Sequence, residues 1–330
     1  MNKKLAVAIT ALLVLAVIFY KQYKPINQSN LLSSVEYSHI KNELLDVVVI
    51  KNPTEALSSL KIKMDNPLVS SRCHSLTHDI GHVAYEKYKD FDIAMKYQDD
   101  ICGGGYLHGI IERVFKDSSD INKEMNTICK RYTREDDLDK CYHGVGHGFM
   151  YYTNNDLPKS LSMCSEYRSN QTKISCSEGV FMENFGTDTV DHPSNFLDSN
   201  NPAYPCIQQN IFYKGSCYFY APIYYLSLHD DNYQAGFAWC QTLESSFKMR
   251  CTSGMGSRVM KKYITQKDIA EKICLLKNKF ETSACIDGLV SYYLLQNNSL
   301  NLAREMCNDF NDEDKVSCLN SVTKRENLFN

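Results

Sequence analysis

The cysteines constrain this chain more than any other feature. Fourteen occur in 330 residues, an even and high count with no Cys-x-x-Cys anywhere. That combination points to disulfides and away from zinc ribbons, thioredoxin motifs and haem attachment. Cys129 with Cys141, and Cys164 with Cys176, each enclose 11 residues. Cys206 with Cys217, Cys240 with Cys251, Cys274 with Cys285, and Cys307 with Cys318 each enclose 10. The first members recur at steps of 35, 42, 34, 34 and 33 residues. A fixed period of this size indicates stacked supersecondary units. Cys73 and Cys102 remain as the pair of a variant first unit.

The residues around each pair predict what is repeated. Apolar residues at helical spacing precede the first cysteines, as with Ile121, Met125 and Ile128 before Cys129. Asp156 with Pro158 reads as a helix start before Cys164, and Asp268 as the cap before Cys274. After the second cysteine a further apolar stretch opens, with glycine three residues on at Gly144, Gly179, Gly254 and Gly288, where neighbouring helices can approach closely. The unit is helix, turn, helix, with a disulfide pinning the end of one to the start of the next. Each staple closes a loop of about 12 residues and contributes on the order of 2–3 kcal/mol by restricting the unfolded chain. Such hairpins cannot bury their apolar faces alone. The expected fold is all-α: a disulfide-stapled α/α solenoid of helical hairpins, in repeats of about 34 residues, after an N-terminal membrane segment. In architecture the unit resembles Sel1-like and tetratricopeptide-type α-hairpin repeats over roughly residues 70–325. The resemblance implies a scaffold with a concave face open to a protein partner, and implies no chemistry.

The N-terminus agrees with an oxidising compartment. Lys3 and Lys4 precede an uncharged apolar run at residues 5–20, the form of an export signal. Its length lies between a signal core and a full span of about 20 residues. Lys21 and Lys24 follow without a small-x-small cleavage pattern. Residues 1–24 are therefore expected to be an uncleaved anchor, meeting the membrane through residues 5–20, with the remainder extracytoplasmic. A cleaved signal and a secreted chain is the alternative. Residues 25–69 are expected to supply linker and capping helices, and residues 70–330 the repeat domain, with histidine-rich units in 70–190. A hydrophobic fraction of 43% with 23% charged residues is that of a globular chain. The formal net charge of −3 lacks the basic excess that phosphate backbones attract, so no nucleic acid is expected as partner.

Six of the nine histidines fall between residues 74 and 147. His74, His78 and His82 follow Cys73 at four-residue spacing, and His143 and His147 repeat that spacing after Cys141. Two histidines at i and i+4 share a helix face and can offer imidazoles to one metal. The repeat register adds a third relation: His108 is six residues after Cys102, and His147 six after Cys141. They occupy one slot in successive helices, so stacking should set them side by side. His74 and His82 lie about 12 Å apart along a helix, too far for one metal to take all three imidazoles of that helix. His82 is thus a ligand to a second ion or a residue that orients a ligand. Glu112, four residues after His108, and Glu178, in the slot of His143, edge the group, with Glu183 close behind. The six histidines resemble coupled dicopper proteins in ligand count.

The expectation is an exported, membrane-tethered metalloprotein and a metal-dependent enzyme. The ligands are His74, His78, His82, His108, His143 and His147, with Glu112 and Glu178 as general acid/base groups. Copper, zinc or iron fits such donors, in one ion or two. A non-catalytic protein-binding scaffold with structural histidines, or a metal-delivery protein, are the alternatives. His-Glu-x-x-His, Gly-x-Ser-x-Gly and P-loop motifs do not occur. Residues 184–205 carry the excess length of the 42-residue step, together with Asp188, Asp191 and His192, and are expected to cover part of the site.

Overall fold

The computed structural model describes residues 28–186 and 193–326. The apolar run at 5–20, read from sequence as an anchor, lies outside them. Among the described residues no helix is long and apolar enough to cross a membrane. The chain divides into two compact units, residues 1–42 and 43–330. The first contributes the opening turns of α1 (Gln28–Ile50), and every later helix belongs to the second.

Regular structure among the described residues is entirely helical. After α2 (Pro53–Ile62) and α3 (Pro67–Tyr88), short and long helices alternate as α4 (Phe91–Met95) and α5 (Gly105–Asp117), α6 (Ile121–Thr127) and α7 (Glu135–Thr153), α8 (Leu157–Ser165) and α9 (Asn170–Gly186). The fourth unit departs from the pattern. Its long helix is split into α10 (Ile211–Tyr220) and α11 (Pro222–Leu228), because Pro222 has no N–H to continue the ladder. Alternation resumes with α12 (Tyr233–Cys240) and α13 (Lys248–Tyr263), α14 (Lys267–Ile273) and α15 (Lys279–Asn297), α16 (Leu300–Asn308) and α17 (Asp312–Thr323).

All fourteen cysteines are paired, with the partners that the spacing predicts. The variant first unit joins Cys73 to Cys102 across 29 positions. Cys129 bonds to Cys141 and Cys164 to Cys176, each 12 positions apart. Cys206 bonds to Cys217, Cys240 to Cys251, Cys274 to Cys285 and Cys307 to Cys318, each 11 positions apart. One detail of the expected unit changes. In these six regular pairs the second cysteine (Cys141, Cys176, Cys217, Cys251, Cys285 or Cys318) lies inside a helix that has already begun, so part of the expected polar loop is helical.

Short polar side chains start the short helices. Asp90, Asp120, Asp156, Asn232 and Ser299 each accept from the backbone N–H three residues on, satisfying a donor that the helix cannot. Asp268 does not cap. Helix α14 begins one residue before it, and Asp268 instead pairs with Lys272 at 3.2 Å.

The long helices pack in chain order, α3 on α5, α5 on α7, α7 on α9, α9 on α10, α10 on α13 and α13 on α15. The row then closes within the unit: α13 packs on α3, and α15 packs on the turn Ile101–Gly104 that leads into α5. That turn holds Cys102, Gly103 and Gly104 at φ of 60°, 71° and 76°. A left-handed backbone favours glycine, and at Gly103 an added Cβ would also lie 2.6 Å from Leu295 Cγ. At the seam Asn298 accepts from Lys140 Nζ at 2.9 Å and donates to Asp100 at 3.2 Å. The inner faces of the long helices therefore enclose an interior.

Candidate metal centre

Four successive long helices supply the cluster: His74, His78 and His82 from α3, His108 and Glu112 from α5, His143 and His147 from α7, and Glu183 from α9. Glycines let these helices touch backbone to backbone. A Cβ on Gly109 would meet the His78 carbonyl oxygen at 2.1 Å, and one on Gly179 would meet that of His143 at 1.9 Å. Side chains leaving such crossings overlap. The His108 ring centroid lies 5.2 Å from that of His74, 5.3 Å from His78, 5.3 Å from His143 and 5.5 Å from His147. The shared register slot of His108 and His147 thus yields nearly parallel rings, with 19° between their planes.

Hydrogen bonds to carbonyls and a carboxylate fix the donor nitrogen of three imidazoles. A carbonyl can only accept, so His74 carries its proton on Nδ1, 2.6 Å from the Cys102 oxygen. His108 likewise donates from Nε2 to the Lys140 carbonyl at 2.9 Å, and its buried Nδ1 has no hydrogen-bond partner. His147 Nδ1 donates to Glu183 at 2.8 Å, and His78 Nδ1 lies 2.9 Å from Glu112. Two pairs of the remaining nitrogens meet as hydrogen bonds in which one ring carries the proton. His74 and His78 bring their Nε2 atoms to 3.0 Å, and His143 and His147 bring theirs to 3.2 Å. Anchoring one imidazole nitrogen on a carbonyl or carboxylate is how metal-binding histidines are oriented.

The electrostatics divide the cluster. Burial, with the neighbouring imidazoles, lowers the pKa of His74, His108 and His143 well below the ordinary range. The neutral form is the ligating one. Burial opposes charge on His78 as well, but Glu112 overrides it and raises the pKa. Burial opposes ionisation of Glu112, yet His78 and His82 hold its pKa well below the ordinary range. Glu112 is 1% exposed and therefore depends on those two partners.

Ligand atoms of His74, His78, His108 and His147 all lie within 4.8 Å of one another, and so do those of Glu112, His147 and Glu183. These two groups could hold metal. His143 adjoins the first through His147. His82 bonds to Glu112 and stands edge-on to Tyr151, so it orients the carboxylate. Glu178 belongs to neither group; it lies 3.8 Å from Arg250, and burial raises its pKa. Glu183, seven residues after Cys176, is the carboxylate that reaches His147 instead. His229 is structural: it stacks on Tyr225 at 4.1 Å and bonds to that residue's carbonyl. Of the inserted segment, Pro193 accepts from Asn155 and Ser194 donates to Asn184, while Asp188, Asp191 and His192 lie outside the described residues.

Beside His74 the interior holds a cavity of about 50 Å³, with Met182, Tyr220, Ser257, Arg258 and Tyr292 in its wall. No motif in the sequence singles these residues out, although the register contains them. Met182, Ser257 and Ser291 fall six residues after Cys176, Cys251 and Cys285, the slot of His108 and His147; Arg258 and Tyr292 come next. No family model matches the chain, and no curated protein and no solved structure matches it with significance.

Proposed function

We propose that this chain is an extracytoplasmic metalloenzyme whose transition metal is held by His74, His78, His108 and His147, with Glu112 and Glu183 as the adjoining oxygen donors. One observation carries the reading: His108 commits Nε2 to the Lys140 carbonyl, and its Nδ1 is buried without a partner in a group of four imidazoles whose ligand atoms all lie within 4.8 Å of one another. A purely structural network would give that nitrogen a donor. Here it has none, a cost that a metal removes. Copper, zinc and iron suit imidazole with carboxylate. Zinc would supply an activated water for hydrolysis, and copper or iron would supply redox chemistry. Glu112, kept ionised by His78 and His82, is the proton acceptor nearest the cluster. The cavity at His74 favours an enzyme over a metal store, because a store has no use for a recess beside its metal.

The test is metal analysis of untagged protein, purified as such and after refolding with copper, zinc or ferrous iron. Bound metal in stoichiometric amount is expected, falling to background in the double variant His78→Ala plus His147→Ala. Circular dichroism should show that variant still helical. Wild-type protein that retains none of the three metals would refute the proposal.

A further inference from the structure

Among the described residues, the wall of the cavity beside His74 holds two cations, Arg258 and Lys261, and no carboxylate. Arg258 lines it, stacks over the Tyr292 ring at 5.8 Å and donates to Ser257 at 2.8 Å, but its Nε is buried without a hydrogen-bond partner. Tyr292 is 5% exposed, and its hydroxyl is also buried and unpartnered. Lys261 lies in the same wall, where burial and the neighbouring Arg258 and Arg72 push its pKa down to about 8 against the opposing charge of Asp231. A guanidinium N–H buried without an acceptor is costly, and so is a buried hydroxyl with none. Both costs vanish together if one group offering acceptor oxygens and negative charge enters the recess.

Arg258 and Lys261 also line a more open cavity of about 430 Å³, together with Arg72, Tyr233, Asp231 and Lys262. Asp231 there is engaged by Lys262 at 2.6 Å. Arg258 and Lys261 thus stand in the wall common to the outer cavity and the inner recess at His74. Their positions follow from the fold. Lys261 is ten residues after Cys251, as Glu112 is ten after Cys102. The register that turns a carboxylate toward the histidines in one part of the row turns a cation inward in another.

We propose that this recess binds an oxyanion, a carboxylate or a phosphate, on the Arg258 guanidinium and the Tyr292 hydroxyl, and that the substrate of the histidine centre is a small molecule carrying such a group. A planar guanidinium presents paired N–H donors matched to two oxygens of an oxyanion, and a phenol adds a third donor. A volume of about 50 Å³ admits a small headgroup and excludes a polymer. The assignment of the anion to a substrate rests on the metalloenzyme reading; the anion site itself does not.

The test uses the full chain, stripped of metal with a chelator and dialysed. Sodium acetate and inorganic phosphate are titrated calorimetrically at constant ionic strength, with acetamide as the uncharged control. Saturable binding of one oxyanion at a single site is expected, with none for acetamide. Whichever anion binds identifies the headgroup as carboxylate or phosphate. Affinity should fall at least tenfold in Tyr292→Phe, which removes only the hydroxyl, and binding should be lost in Arg258→Gln. If Arg258→Gln does not fold, Tyr292→Phe decides alone. Both variants should take up metal as wild type does. Absence of saturable binding by either anion, or affinity unchanged in Tyr292→Phe, would overturn the proposal. Anion binding by protein that takes up no metal would remove the metal centre and leave the anion site standing.

Discussion

At the scale of single residues, the arrangement depends on what is missing as much as on what is present. Gly144 lies against His108, where an added Cβ would come within 2.7 Å of Cδ2 on the imidazole and 3.1 Å of Ile111 Cδ1. Neither neighbour is free to yield, since His108 is pinned through Nε2 to the Lys140 carbonyl and Ile111 is fully buried. Gly144→Ala should therefore cost about 1–3 kcal/mol through overpacking. By displacing His108 it should also weaken metal binding about 10–100-fold, as loss of an orienting contact does. Urea denaturation and a metal titration on the same variant check both parts. The histidines were legible in sequence because four-residue spacing and a common slot are properties of a helix and of a repeat. Glu183 and Arg258 were harder to read, being one position past that slot; which of two adjacent residues reaches a neighbour depends on how the helices cross.

Elements are joined here by a few directed contacts that repeat patterns do not encode. Asp287 of α15 accepts from Arg325, just beyond α17, at 2.7 and 3.1 Å, and from Ser321 at 2.6 Å. Burial opposes its ionisation, but the Arg325 bonds prevail and hold its pKa below the ordinary carboxylate value. A group with a depressed folded-state pKa stabilises the fold above its unfolded pKa, and that contribution is lost as pH falls through the folded one. Asp287→Asn should accordingly cost about 1–2 kcal/mol near pH 7, modest because both partners are partly solvated. The difference from wild type should shrink as pH drops below about 4. Unfolding free energies measured from pH 7 to pH 3 would expose a wrong sign. The staples and most caps were readable beforehand, because cysteine pairs and Asp, Asn or Ser before a helix are local signals. Asp268 misled since a cap is defined by where the helix begins, and helix ends drift by a residue or two from their sequence cues.

At the scale of the whole second unit, closure of the row matters most. Repeats predicted a stack with two ends, whereas α13 and α15 return to α3 and to the turn before α5. The seam is small and polar: Asn298, left-handed at φ 48°, bridges Lys140 and Asp100. Lys140 is 9% exposed, so losing its acceptor leaves a buried ammonium underpaired. Asn298→Ala should destabilise the fold by about 1–3 kcal/mol. It should also lower metal affinity, because the Lys140 carbonyl is what holds His108. Unchanged metal affinity in that variant would uncouple the seam from the site.

Sequence alone determined the helical class, all seven disulfide partners, and the gathering of six histidines in the first units, because each is written in spacings along a periodic backbone. Tertiary structure decided the rest: which imidazole nitrogens are committed to carbonyls or carboxylates, which carboxylates stand beside them, and that Arg258 and Tyr292 from distant repeats share a cavity with His74. Those outcomes depend on the angle between successive helices accumulating around the row until it meets its beginning. A small rotation at each crossing is invisible in any one repeat, yet their sum fixes what faces the interior.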